Sequence, residues 1–301
     1  MLRLITFSRL CLLRDLPDDG LATAAAVAEL SCVATNFDCH LLQRSPGAGP
    51  LDVLASDTQQ AKLRQDVSDG GGNVVVVSSV DPSSVDFPEW LPVTHLGHSP
   101  VAQLTEALGQ SSTDVGWQWI HIELPEDETA DAWLAATLNG AVRLIADFPD
   151  DELIVTSVAG EAQTDHRFES LLWEGSIRVP LWFAQPGHLC GQVSQPTGSF
   201  DAFETLLAGG WVADALRSQS ETGAVDLRSM INAPAERSIH LRHGQTDAVR
   251  SPDFFCVRVV DEYSEISTAV YGKPNDVWNV HDLSHEYPDV AEQAFADWPD
   301  N

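Results

Sequence analysis

The residues of this chain that could do chemistry are carboxylates and imidazoles, the side chains that hold divalent cations and move protons. Asp18-Asp19 is a carboxylate pair, but it lies in Leu-Pro-Asp-Asp-Gly, a composition that marks a turn or helix entry as readily as a metal site. His95 and His98 flank a Leu-Gly in a loop before Ser99-Pro100. His-x-x-His spacing can serve a metal, although no cysteine or acid stands close by. Asp165-His166 follows Thr164, so this pair reads either as a capped helix start or as a site contribution. His121 alternates with Ile120 and Ile122 inside an apolar strand, the pattern of a satisfied core or rim histidine. His240 and His243, in Ile-His-Leu-Arg-His-Gly, form the last cluster. There is no Gly-x-Ser-x-Gly elbow for a Ser-His-Asp hydrolase. Gly70-Gly71-Gly72 precedes its strand instead of following it, so it is neither a Walker loop nor a dinucleotide fingerprint.

Strands alternating with helices must position these residues. Leu2 to Phe7, Asn73 to Ser78, Trp117 to Glu123, Asp151 to Thr156 and Ile177 to Leu181 read as strands. Leu21 to Leu30 is an Ala-rich helix, and a second helical stretch closes at the three glycines. Val101 to Leu108 is a short helix entered through Ser99-Pro100, and Thr129 to Ala146 is a long one with Trp133, Leu134, Leu138, Val142 and Ile145 at helical spacing. This order predicts a mostly parallel sheet with right-handed crossovers. After Ala233-Pro234 the pattern changes to Ser238–Arg242, Phe254–Val260 and Ala269–Tyr271, short strands of a small antiparallel lobe. The division expected is a core over 1–233 and a C-terminal subdomain over 234–301.

Charge narrows the partners. Across 301 residues, 45 acids against 16 bases give a formal net charge of -29, which repels nucleic acid and anionic membrane surfaces. It also disfavours sulfate or phosphate esters unless a local cationic pocket overrides the field; solubility or adaptation to salt accounts for most of it. The five cysteines, Cys11, Cys32, Cys39, Cys190 and Cys256, are scattered and odd in number. That argues against a disulfide framework and for buried structural thiols in a reducing, cytoplasmic setting. The first residues are interrupted by Arg9 and Arg14 and read as a strand rather than a signal peptide.

The segment Asp151 to Phe183 runs from a buried strand into Ser157-Val158-Ala159-Gly160-Glu161, then to Leu171-Leu172-Trp173-Glu174-Gly175 and Ile177-Arg178-Val179-Pro180-Leu181. It resembles the sulfatase branch of the alkaline phosphatase superfamily, where a strand ends in Thr-Ser-Asp-His-Gly-Glu and a Tyr-Glu-Gly-x-x-Arg-Val-Pro-Leu segment follows. Gly198 to Gly209 is similar to the helix that closes the family's core. Val249 to Phe255, Lys273 to Leu283 and Pro288 to Gln293 are similar to its C-terminal segment. The resemblance covers roughly residues 117–301. It implies an alkaline phosphatase-like three-layer α/β/α fold with a mostly parallel central sheet and a small C-terminal antiparallel lobe.

The same resemblance exposes departures. The family's metal-binding Asp-His pair is here Val158-Ala159, which have no lone pairs to replace a cation's water. The first strand runs into Ser8-Arg9-Leu10-Cys11, where the family has two adjacent aspartates, and no cysteine is followed by x-Pro-x-Arg; Cys39 with Arg44 is the nearest echo of that nucleophile turn. The expectation is a sulfatase-like pseudoenzyme that has lost sulfuric-ester hydrolase activity and acts as a binding or scaffolding module. Its partner would be an unidentified protein or small-molecule ligand, without nucleic acid, membrane or cofactor. The alternative is a divergent metal-dependent sulfate or phosphate ester hydrolase, holding calcium or magnesium in a site rebuilt from Asp18, Asp19, His95, Asp165 and His166.

Overall fold

A computed structural model describes residues 1–8, 21–41, 49–78, 85, 87–97, 116–124, 130–160, 177–209, 224–232, 236–243, 246–260, 265–276 and 279–296. The parallel strands form where β-branched and aromatic residues run without a break, as expected of strands covered on both faces. They are β1 (Leu2–Phe7), β3 (Gly72–Ser78), β5 (Trp117–Glu123) and β6 (Glu152–Ser157). With β2 (Thr35–His40), β4 (Val93–Gly97), β7 (Arg178–Ala184) and β8 (Gln192–Gly198) they make one eight-stranded sheet, order β4-β3-β5-β1-β6-β7-β2-β8. Only β7 runs antiparallel to its neighbours.

Both faces are packed. On one, Leu4, Trp119, Val76, Ile154, Leu181 and Phe37 meet α2 (Pro50–Leu54), α3 (Asp57–Ser68), α5 (Ser199–Gly209) and α6 (Leu227–Asn232). On the other, Ile5, Ile120, Val75, Val155 and Trp182 meet α1 (Leu21–Val33) and α4 (Ala130–Asp147). Helix α4 repeats its apolar residues at helical spacing, as its sequence predicts. Gly72 has a specific role: a Cβ there would run into the ring of Trp117, whose indole N–H bonds buried Asp66 at the end of α3. Helix α3 opens on a capping box, with Ser56 and Gln59 exchanging hydrogen bonds.

The amino-terminal edge of β1 is closed by ions. Arg3, 2% exposed, donates to Asp151 at 2.9 and 3.0 Å and to Gln118 at 3.2 Å, and the N-terminal ammonium also reaches Asp151. A second sheet is fully antiparallel, order β12-β11-β10-β9, built from β9 (Ile239–His243), β10 (Thr246–Arg250), β11 (Phe254–Val260) and β12 (Ile266–Gly272), with α7 (Pro288–Ala296) beyond it. The two sheets are joined by charge: Arg250 on β10 donates to Asp38 on β2 at 2.7 Å. Among the described residues no helix is long and apolar enough to cross a membrane.

Several expectations change. Strands β2, β4, β8 and β10 went unrecognised, because Thr-Asn-Phe-Asp-Cys-His and Thr-Asp-Ala-Val-Arg put polar residues on alternate positions without an apolar run. Helix α1 extends three residues past Leu30. The helix expected over 101–108 lies outside the described residues.

Candidate functional site

The connections place the site. The chain leaves β3 for the edge strand β4 with Phe87 packed on the Trp119 face, whereas β5 crosses to β6 through α4 on the opposite face. Where successive crossovers part to opposite faces, the carboxyl ends of the strands leave a crevice, the usual ligand position in open α/β sheets. Here that switch point falls between β3 and β5, beside the end of β1.

One row of side chains crosses the sheet just below this crevice. Register aligns Thr156, Thr6, His121, Val76 and His95 on β6, β1, β5, β3 and β4. Trp119 Nε1 donates to Thr6 Oγ1 at 2.8 Å, and Thr6 Oγ1 lies 2.8 Å from His121 Nδ1. If Nδ1 carried the proton, the Thr6 hydroxyl would accept twice and its own buried hydrogen would face no acceptor. The network therefore assigns the Thr6 O–H as donor to Nδ1 and the imidazole proton to Nε2. That Nε2 is fully buried, has no hydrogen-bond partner, and lies 3.5 Å from Glu123 Oε2, the carboxylate at the mouth of the crevice. Phe87 covers both rings edge-on, 5.3 Å from Trp119 and 5.8 Å from His121. His121 is thus a core histidine, as expected, but satisfied at only one nitrogen.

The surrounding hydroxyls are already committed to the backbone. Ser157 Oγ donates to Ala159 O at 2.7 Å and receives Ala159 N at 3.3 Å, pinning the turn after β6, and Ser8 Oγ receives Leu124 N at 3.0 Å. No described base bonds Ser8, so nothing prepares it as a nucleophile. Val158 packs onto the apolar cluster below, and its N–H extends the β1–β6 pairing to Phe7 O at 2.9 Å.

The described donor set does not fit the divalent cation that the family resemblance implies. A hard cation needs several oxygen ligands, mostly carboxylates. Among the described residues the crevice offers one carboxylate, hydroxyls already engaged in hydrogen bonds, and the side chains of Val158 and Ala159. Among the described residues no three His, Cys, Asp or Glu side chains converge on one point. His95 is not in a loop; it sits exposed on β4, two strands from His121 with Val76 between them. Strand spacing puts their Cα atoms about 10 Å apart, and His121 is engaged through Nδ1 with Thr6 on the other side. Asp18, Asp19, Asp165 and His166 lie outside the described residues, as does His98. His240 lies on β9 in the other sheet.

The cysteines divide. Cys39 and Cys256 are buried, with thiols pushed up by burial, Cys256 to about 11 and Cys39 well above its ordinary value. Cys32 and Cys190 are exposed, correcting the expectation of buried thiols throughout, and Cys11 lies outside the described residues. Cys32 falls on the solvent side of α1, and Cys190 in the connection between β7 and β8, positions that depend on which face packs.

No protein-family model and no curated protein matches the sequence. Solved structures do match. A Bacteroides fragilis protein assigned as a sulfatase superposes with a TM-score of 0.65 at 10% identity, over 98% of this chain and 93% of that one. A protein bound to its substrate D-glucosamine-2-N,6-O-disulfate gives 0.64 at 9% identity, over 98% and 96%. An alkaline phosphatase superfamily protein of Vibrio parahaemolyticus gives 0.58 at 11%, over 96% and 87%. The chain has a sulfatase-like fold. At these identities the likeness is one of architecture: the mostly parallel sheet and the separate antiparallel sheet are those of the alkaline phosphatase-like fold. Among the described residues the crevice of this chain carries Glu123, His121 and Ser8.

Proposed function

We propose that the protein is a binding module on a sulfatase-like scaffold, with the β3–β5 crevice as its ligand seat, and not a metal-dependent ester hydrolase. The observation that carries this reading is the turn after β6: Val158 and Ala159 stand where the resemblance places an Asp-His metal pair, and Val158 is used for packing. Ser8 after β1 supports it, since the resemblance calls for an aspartate pair there. What remains is a buried N–H donor beside a half-exposed carboxylate, a pairing suited to a ligand that brings hydroxyl or amino groups.

Elemental analysis after dialysis against calcium and magnesium tests the proposal, together with assays on aryl sulfate, phosphate and phosphonate esters. The expected result is no stoichiometric metal and no turnover. One retained equivalent per chain, with ester hydrolysis that a chelator abolishes, would overturn it and restore the hydrolase reading.

A further inference from the structure

A cationic enclave exists in this acidic chain, on the face of the sheet opposite the crevice row. Strands β2 and β7 enclose a cavity of about 140 Å³ lined by Asn36, Phe37, Asp38, Arg178, Val179, Pro180 and Gln192. Asp38 is its hub. Arg178 Nε lies 3.0 Å from one carboxylate oxygen, and Arg250 Nη2 donates to the other at 2.7 Å. Lys273 stands close enough to add to their field. Three cations thus surround one acid. Burial pushes the Asp38 carboxyl up, but His40, Arg250, Arg178 and Lys273 outweigh that and hold it below its ordinary value, so Asp38 stays ionised.

The arrangement leaves one guanidinium edge unused. Arg250, 3% exposed, donates from Nη1 to Ser251 O and buries its Nε without a partner among the described residues, out of reach of the cavity, and Lys273 bonds Asp276 O and Asn279 Oδ1. Arg178 is different: it is about one-third exposed, lines the cavity, and is fixed through Nε, while no described residue receives a hydrogen bond from either Nη. Asn36 and Gln192 line the same space, set opposite each other by the β2–β8 pairing one residue before the bulge between Phe37 and Asp38. A guanidinium held by one edge and open at the other is preorganised for bidentate hydrogen bonding to an oxyanion, and two amides beside it supply further donors.

We propose that this cavity binds a small oxyanion, either free or as the anionic group of a larger ligand, on Arg178 with Asn36 and Gln192. The volume equals the share of about four or five waters in the liquid, enough for one such group. The site stands independently of the crevice reading, since it uses other strands and the other face of the sheet.

Calorimetric titration in low-chloride buffer with sodium sulfate, sodium phosphate and sodium formate tests it, with Arg178→Lys and Asn36→Ala compared against the unaltered chain. The expected result is one saturable site per chain, weakened at least tenfold by Arg178→Lys, which keeps the charge but loses the fork. Asn36→Ala should also weaken it, without lowering the anion-free melting temperature. Preference for sulfate and phosphate over formate identifies a tetrahedral group, and the reverse a carboxylate. If Arg178→Lys fails to fold, the Asn36→Ala, Gln192→Ala double variant carries the comparison. No saturable binding of any of the three anions, or binding unchanged by the variants, overturns the proposal.

Discussion

The crevice at the ends of β1 and β5 and the cavity between β2 and β7 lie on opposite faces of one sheet, about 14 Å apart by strand spacing. They use polar residues in opposite ways. In the crevice, hydroxyls and a tryptophan N–H are consumed in a neutral network that ends on one buried imidazole N–H and one carboxylate. In the cavity, two arginines share one aspartate and leave a guanidinium edge over. A net charge of -29 describes the whole chain, but local potential follows the few side chains that packing brings within several ångströms. Among the described residues the crevice of this sulfatase-like scaffold holds no carboxylate cluster, and cations gather elsewhere.

The largest effect that would break this comparison is expected at the hub. Asp38→Asn leaves Arg250 and Arg178 without their counterion in a largely buried place and should cost about 3–5 kcal/mol in urea unfolding at pH 7. The pH dependence has a definite sign. The folded carboxyl titrates below its unfolded value of about 4, so its contribution is complete above that pH and is lost as the pH falls through the folded value. The difference between Asp38→Asn and the unaltered chain should therefore shrink as the pH falls below the unfolded value of about 4. A difference constant from pH 7 to pH 2 would show that the hub is not held by charge.

Next comes the neutral network. Thr6→Val conserves shape but deprives Trp119 Nε1 of its acceptor and His121 Nδ1 of its donor, both fully buried, for about 2–4 kcal/mol. The loss should persist at acid pH, where that of Asp38→Asn fades, and paired unfolding curves at two pH values separate the regions. The smallest effect is expected at His95. His95→Ala on the exposed edge strand should change stability by no more than about 0.5 kcal/mol and leave anion binding unaltered. A larger loss would place His95 in contacts that β4 does not show.

Much of the architecture was legible because its signals are local. Apolar runs marked β1, β3, β5 and β6, helical spacing marked α4, and the Ser157-to-Leu181 order carried the resemblance to the sulfatase fold. Of the strands that build the cavity, β7 was legible and β2 and β8 were not. Asn36, Asp38 and His40 on β2 look like loop residues, because their burial depends on partners more than a hundred positions away, Arg178 on β7 and Arg250 on β10. His121 could be assigned to the core from its apolar neighbours, but which of its nitrogens is satisfied required Thr6 to be set opposite it by parallel pairing.

By itself the sequence determined the fold class, the acidic composition, and that positions 158 and 159 carry Val and Ala, which have no metal-ligating atoms, since each of these is a matter of residue type. The tertiary structure alone decided which polar groups meet. Hydrogen bonds and ion pairs act over a few ångströms, and residues 6 and 121, or 38, 178 and 250, come within that range only when the sheets assemble.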